Sequence, residues 1–220
     1  MTRLLSIILA IVFLIGGCAH TRYGSINKTV EKARDANVSI VNATSKSSGA
    51  GVIVYNGVGK YMVVLTAAHV VVSYLKKKKT IYALPSYDGI MRRMAVYKIS
   101  KEHDLAILVS TRKEHKPGPY AKFARGHPNI GDRVYAIGSP MGDKATLTDG
   151  IVSNFEYKKG LVRYRFTAPV FFGNSGGGLF NDKMELIGIV TNMYLVRSGF
   201  SIIAIPGAGI AASIKSMKVM

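Results

Sequence analysis

Twelve short runs rich in β-branched residues, falling into two sets of six, constrain this 220-residue chain more than any other feature. The first set is VSIV (38–41), AGVIV (50–54), YMVVLT (61–66), TIYAL (80–84), IMRRMAVYKI (90–99) and DLAILV (104–109). The second is RVYAIG (133–138), TLTDGIVS (146–153), VRYRFT (162–167), GLF (178–180), ELIGIVTN (185–192) and FSIIAI (200–205). Turn residues punctuate both sets, and the stretch between them, 110–131, carries three prolines and three glycines. Helices alternating with strands, which a parallel sheet needs for its crossovers, are missing. The pattern predicts an all-β fold of two six-stranded antiparallel barrels, since closure removes the edges that open sheets leave exposed. Only GAGIAASIKSM (207–217) reads as helical, giving a short C-terminal helix. The expected organisation is an N-terminal barrel over 37–111, a linker over 112–131, and a C-terminal barrel with the terminal helix over 132–220. Residues 18–36 are polar and mixed in charge, a tether with one short helix.

The first seventeen residues have the layout of a secretory signal peptide. MTR is a short basic start, LLSIILAIVFLI a run of twelve nearly all apolar residues, and GGC a small-residue exit. That run is short for a membrane span, which takes about 20 apolar residues. Ile15-Gly16-Gly17-Cys18 resembles the bacterial lipobox, in which the cysteine is diacylated and becomes the new N-terminus. Two acyl chains give stable anchoring where one is marginal. Cys18 is the sole cysteine, so no intrachain disulfide can form. The expected location is the bacterial cell envelope. Ala19 after the cysteine, in place of the Asp that marks inner-membrane retention in enteric lipoproteins, favours the outer membrane facing the periplasm over the extracytoplasmic face of the cell membrane.

Apolar residues make up 48% and charged residues 19%, a balance that excludes a disordered chain. The formal net charge of +18 favours approach to anionic surfaces or polymers. Its densest run, Lys76 to Lys79, sits between strand-like segments and reads as a solvated loop. Aromatic and basic residues do not interleave in a nucleic-acid-binding pattern, so nucleic acid is not an expected partner.

The stretch FGNSGGGLF (172–180) sets Ser175 among four glycines. Taken alone, G-x-S-x-G also describes the nucleophile elbow of α/β-hydrolases, whose histidine follows the serine. The histidines here are 20, 69, 103, 115 and 127, none of them after Ser175, which excludes that order. A phosphate-binding loop would need a Gly-Lys-Ser/Thr ending, and the stretch has no lysine. A serine nucleophile needs a base, usually a histidine oriented by a carboxylate. His69 ends LTAAH directly after a strand, where Ala67 and Ala68 let the backbone turn. Asp104 opens DLAIL, and a carboxylate at the mouth of an apolar strand is costly unless hydrogen-bonded. The order is then His, Asp, Ser, with Asp104 35 residues after His69 and 71 before Ser175.

T-A-A-H, D-L-A-I-L and G-N-S-G-G resemble the motifs of trypsin-like serine proteases. IGSPMGDKATLTDGIVS (137–153), FTAPVFFGNSGGGLF (166–180) and ELIGIVT (185–191) look like the second barrel of the HtrA/Deg branch, and the resemblance covers 38–210. It implies a chymotrypsin-like fold with Ser175 as nucleophile, His69 as proton shuttle and Asp104 as its orienting carboxylate. The N–H groups of Gly173 and Ser175 would form the oxyanion hole, a convergence that side chains would obstruct. The specificity pocket would be walled by Pro169 through Phe172 and by Thr191, Asn192 and Met193. No acid lies there, which argues against cleavage after Arg or Lys, and Phe172 and Met193 suit a small or medium apolar side chain. No metal or organic cofactor is implied, and the expected substrates are unfolded or extended envelope polypeptides. Two departures stand out. Gly178 replaces the usual proline after Ser-Gly-Gly, which loosens the turn, and only 45 residues follow Ser175, too few for a PDZ domain. The rival reading is a catalytically silent fold of the same type, serving as a cationic binding module for anionic lipid or polymer. An esterase on the same triad would differ only in substrate.

Overall fold

The computed structural model describes residues 27–44, 47–55, 59–116, 118–158, 161–198 and 201–213, with the backbone alone described from 193 onward. The leader, Cys18 and the end of the chain from 214 lie outside the described residues. After helix α1 (Lys28–Asp35), six strands form the first barrel: β1 (Asn37–Val41), β2 (Ser47–Tyr55), β3 (Tyr61–Ala67), β4 (Ile81–Pro85), β5 (Arg92–Ser100) and β6 (Leu105–Lys113). Helix α2 (Ala68–Lys76) is inserted between β3 and β4. The second barrel comprises β7 (Arg133–Gly138), β8 (Thr146–Lys158), β9 (Leu161–Phe166), β10 (Gly178–Phe180), β11 (Leu186–Ser198) and β12 (Ser201–Ser213). Each barrel closes, in the strand orders β1-β2-β3-β6-β5-β4 and β10-β11-β12-β9-β8-β7. Every ladder between neighbouring strands is antiparallel. Each of the twelve runs expected as strands overlaps one of these strands.

Alternation along each strand sorts the side chains. Val38, Ile40, Val64, Ala83 and Leu108 fill the first barrel, together with Val70, Val71 and Tyr74 from α2. Val134, Val152, Tyr164, Phe166 and Leu179 fill the second. A third cluster draws on both barrels and on α1, through Ala33, Val52, Leu105, Ile137, Phe180 and Ile189. β1 is buried along its whole length because its outward residues meet the other barrel. There Asn37 Nδ2 and Ser39 Oγ each donate to Ser139 Oγ at 2.9 Å, so these three buried polar side chains meet across the interface, while Asn37 Oδ1 has no partner.

Two helices revise the expectation. α2 continues directly from β3 and ends at Lys76, so the exposed run 76–79 begins on the last helical residue and continues as the turn that caps the helix. Residues 207–213, expected to be helical, are strand. Ala211 pairs with Val190 on one side and Tyr164 on the other, and Gly209 with Met193 and Phe166. Closing the barrel satisfies two ladders, and that outweighs the helical preference of a short alanine-rich run. Among the described residues no helix is long and apolar enough to cross a membrane.

Candidate active site

α2 begins at Ala68 after Ala67, a residue with no side chain to cap the exposed N–H groups of the first turn. The cap comes from 35 residues away. Asp104 sits in the turn before β6 and accepts from Ala68 N–H through its main-chain oxygen at 3.1 Å. Its Oδ1 accepts from His69 N–H at 2.9 Å, while Oδ2 meets His69 Nδ1 at 2.7 Å. The carboxylate accepts only, so Nδ1 carries the proton and Nε2 is left with its lone pair. Asp104 has φ +55°, a left-handed conformation rare for a residue with a side chain, and such outliers gather at functional sites. The His69 side chain is 49% exposed and that of Asp104 26%, so the imidazole opens to solvent and the carboxylate is partly covered.

Ser175 lies on the turn that leads into β10, and that turn is built against both barrels. Ala50 N–H of β2 donates to Ser175 O at 2.7 Å, and Gly176 N–H to Val190 O of β11 at 2.7 Å. Gly176 has φ +90°, and a Cβ there would overlap the Ala50 carbonyl oxygen and the Thr66 hydroxyl. Gly173 has φ +99°, and a Cβ there would overlap the Ser139 carbonyl oxygen and lie 2.7 Å from Met141 N. Met141 N–H donates to Phe172 O at 2.8 Å, which turns that carbonyl toward the 140–142 turn. Neither Gly173 N–H nor Ser175 N–H has an acceptor among the described residues. Two unpaired donors on one tight turn can receive a developing oxyanion. Among the described residues no hydrogen bond runs from the Ser175 hydroxyl to the His69 ring.

The expected pocket residues are only partly brought together. Arg163 of β9 donates to Asn192 Oδ1 at 2.7 Å and Thr191 Oγ1 at 3.3 Å. Pro169 is fixed through its carbonyl, which accepts from Thr148 Oγ1 at 2.7 Å. Phe172 is exposed, and the side chain of Met193 lies outside the described residues. Arg163 puts a cation beside a wall read as apolar and neutral. Sequence reasoning missed it, although strict alternation with Tyr164 and Phe166, both buried, already places Arg163 on the outer face. Gly178 opens β10, and a Cβ there would overlap the Phe180 ring, so the space a proline would need is filled. No group of three or more His, Cys, Asp or Glu residues among those described is placed to hold a metal.

The trypsin-like peptidase domain matches residues 49–189, well over half of the chain. The chain belongs to the trypsin-like peptidase family. An HtrA-like serine protease of Staphylococcus aureus is 28% identical over 195 residues, covering 77% of this chain and 25% of that protein. This trypsin-like peptidase chain therefore spans about a quarter of the length of the curated relatives it matches. Among solved structures, a serine endoprotease from Yersinia pestis superposes with a TM-score of 0.68 at 26% identity, over 89% of this chain and 65% of that one. An HtrA-type protease with tripeptide gives 0.69 at 26% identity, over 89% and 62%. These likenesses support the expected chymotrypsin-like fold of HtrA type.

Proposed function

We propose that this trypsin-like peptidase is a membrane-anchored endopeptidase of the bacterial envelope, held through lipid on Cys18 behind a cleaved leader of residues 1–17. The observation that carries the catalytic part is the Asp104–His69 pair at 2.7 Å, together with the unpaired N–H groups of Gly173 and Ser175. Ser175 Oγ attacks the scissile carbonyl as His69 Nε2 takes its proton and then delivers it to the leaving amine. Asp104 holds the ring and stabilises the imidazolium, and the two N–H groups receive the oxyanion. The polypeptides it meets are unfolded or extended chains of the envelope. The domain scheme of leader, tether, barrel, linker and barrel is part of the same reading.

The test is labelling of the full chain in detergent with a fluorophosphonate, beside a Ser175→Ala control. Labelling of the wild type alone supports an activated serine. Labelling of neither refutes the catalytic reading and leaves the cationic binding module in its place. Metabolic labelling with palmitate tests the anchor, with Cys18→Ser as the variant that loses it.

A further inference from the structure

The helix that presents His69 ends in an ordered cap of lysines. Lys79 N–H donates to Tyr74 O and Lys78 N–H to Leu75 O, each at 3.0 Å, the paired bonds that close a helix on a left-handed residue. That residue is Lys78, at φ +51°, in a position that favours glycine. The lysines are thus held by the backbone and are not spread along a free loop. Beside the cap lies an open cleft of about 380 Å³ lined by apolar residues (Leu75, Ile81, Met94, Val96) and by exposed cations at its rim (Lys78, Lys79, Arg93).

The rim charges are not neutralised from within the molecule. Among the described residues, Lys76 to Lys79 and Arg93 form no ion pair. Asp88 and Glu114 are both taken by Arg92. Residues 37–113 hold three acidic residues against twelve basic ones, and one of the three is Asp104. A rise of 1.5 Å per residue puts Lys76 about 10 Å along the axis from His69, the span of about three residues of an extended polypeptide. A concave site of mixed apolar and cationic lining beside the helix that carries His69 suits side chains of a bound polypeptide better than a flat bilayer.

The geometry points to an acidic-segment exosite: Lys78, Lys79 and Arg93 receive substrate carboxylates about three to five residues from the scissile bond, steering acidic polypeptides into the cleft. This rests on the endopeptidase reading above and adds a substrate class to it.

The probe is unfolded casein. Sites cut by the full chain in detergent are mapped, and one is resynthesised as internally quenched peptides with Glu, Gln or Lys at the flanking positions. The expected order of kcat/KM is Glu, then Gln, then Lys, with about tenfold between Glu and Gln at low salt and little difference at high salt. The triple variant Lys78→Gln, Lys79→Gln, Arg93→Gln should erase the preference and leave the Gln peptide unchanged, which also controls for folding. Equal rates on Glu and Gln peptides, or a preference that survives in the triple variant, overturn the exosite while the endopeptidase stands. Wild-type sedimentation with phosphatidylglycerol vesicles, lost in the triple variant and unaccompanied by any Glu preference, overturns it in favour of a membrane surface. No cleavage of casein and no fluorophosphonate labelling would remove both proposals together.

Discussion

The carboxylate of Asp104 grips His69 twice, at its ring through Oδ2 (2.7 Å) and at its backbone through Oδ1 (2.9 Å). One side chain both caps helix α2 and fixes the imidazole, and substitutions can separate the two roles. Asp104→Asn keeps a good capping group but loses the negative charge and the ring tautomer. It should lower kcat by about 10⁴, the effect known for the aspartate of this triad type, with Tm nearly unchanged. Asp104→Ala should lose the cap as well, at about 1 kcal/mol of stability. Turnover measured beside thermal melting of both variants checks this. A fully active Asp104→Asn enzyme would exclude Asp104 from the mechanism.

Gly176→Ala tests the contact between the Ser175 turn and the first barrel. The added methyl meets the Ala50 carbonyl oxygen and the Thr66 hydroxyl at a φ of +90°. A loss of about 2–3 kcal/mol is expected from urea unfolding, with activity lost at temperatures where the variant is still folded. Near-neutral stability would mean that the turn can move away from β2.

At Lys78 the sign reverses. Its φ of +51° costs a lysine about 1 kcal/mol that glycine does not pay, so Lys78→Gly should raise stability by about that amount. The same change should weaken the preference for acidic peptides, because it removes a rim charge. A destabilised Lys78→Gly protein would show that the side chain contributes packing that the cap geometry does not reveal.

Asp35 ends helix α1, where a negative charge opposes the helix dipole. Partial burial, then the Glu31 charge, push its carboxyl above the usual range, against the pull of Arg34. A raised folded-state pKa means the native state holds the proton more tightly. Stability from this group is therefore highest below the unfolded value near 4 and falls as pH rises through the folded value. Asp35→Asn should stabilise at pH 7 by about 0.5 kcal/mol after solvent screening, or about 1–2 °C in Tm. The gain should vanish as pH drops below about 4. Melting curves at pH 3.5 and 7 decide it, and a gain that persists at pH 3.5 would assign the effect to something other than charge.

The strands were legible because alternation is a local property. Val38 and Ile40 against Asn37 and Ser39 already describe a strand with an apolar and a polar side. What is hidden is why the polar side is buried, since its partner Ser139 lies about a hundred residues away. α2 was illegible for a related reason. AHVVVSYLK carries three consecutive valines, which favour strand, and its missing N-cap is supplied by Asp104, 35 residues on in sequence at the start of the neighbouring strand. The terminal run misled in the opposite direction, because Gly209 to Ala212 resemble a helix until β9 and β11 offer them partners. The motif residues His69, Asp104, Gly173 and Ser175 could be named because each motif is a short-range pattern of residue types, and the structure brings His69 and Asp104 into hydrogen-bond contact. Arg163 was not, because nothing short-range couples it to Asn192.

The bond from Ala50 N–H to Ser175 O makes the peptide unit of Ser175, the proposed nucleophile, a rivet between the two barrel shells. Any loosening of one shell against the other is felt first at that rivet, before either barrel has lost a strand. Warming should therefore extinguish turnover while far-UV circular dichroism is still that of the intact fold, and cooling from that point should restore it without a refolding lag.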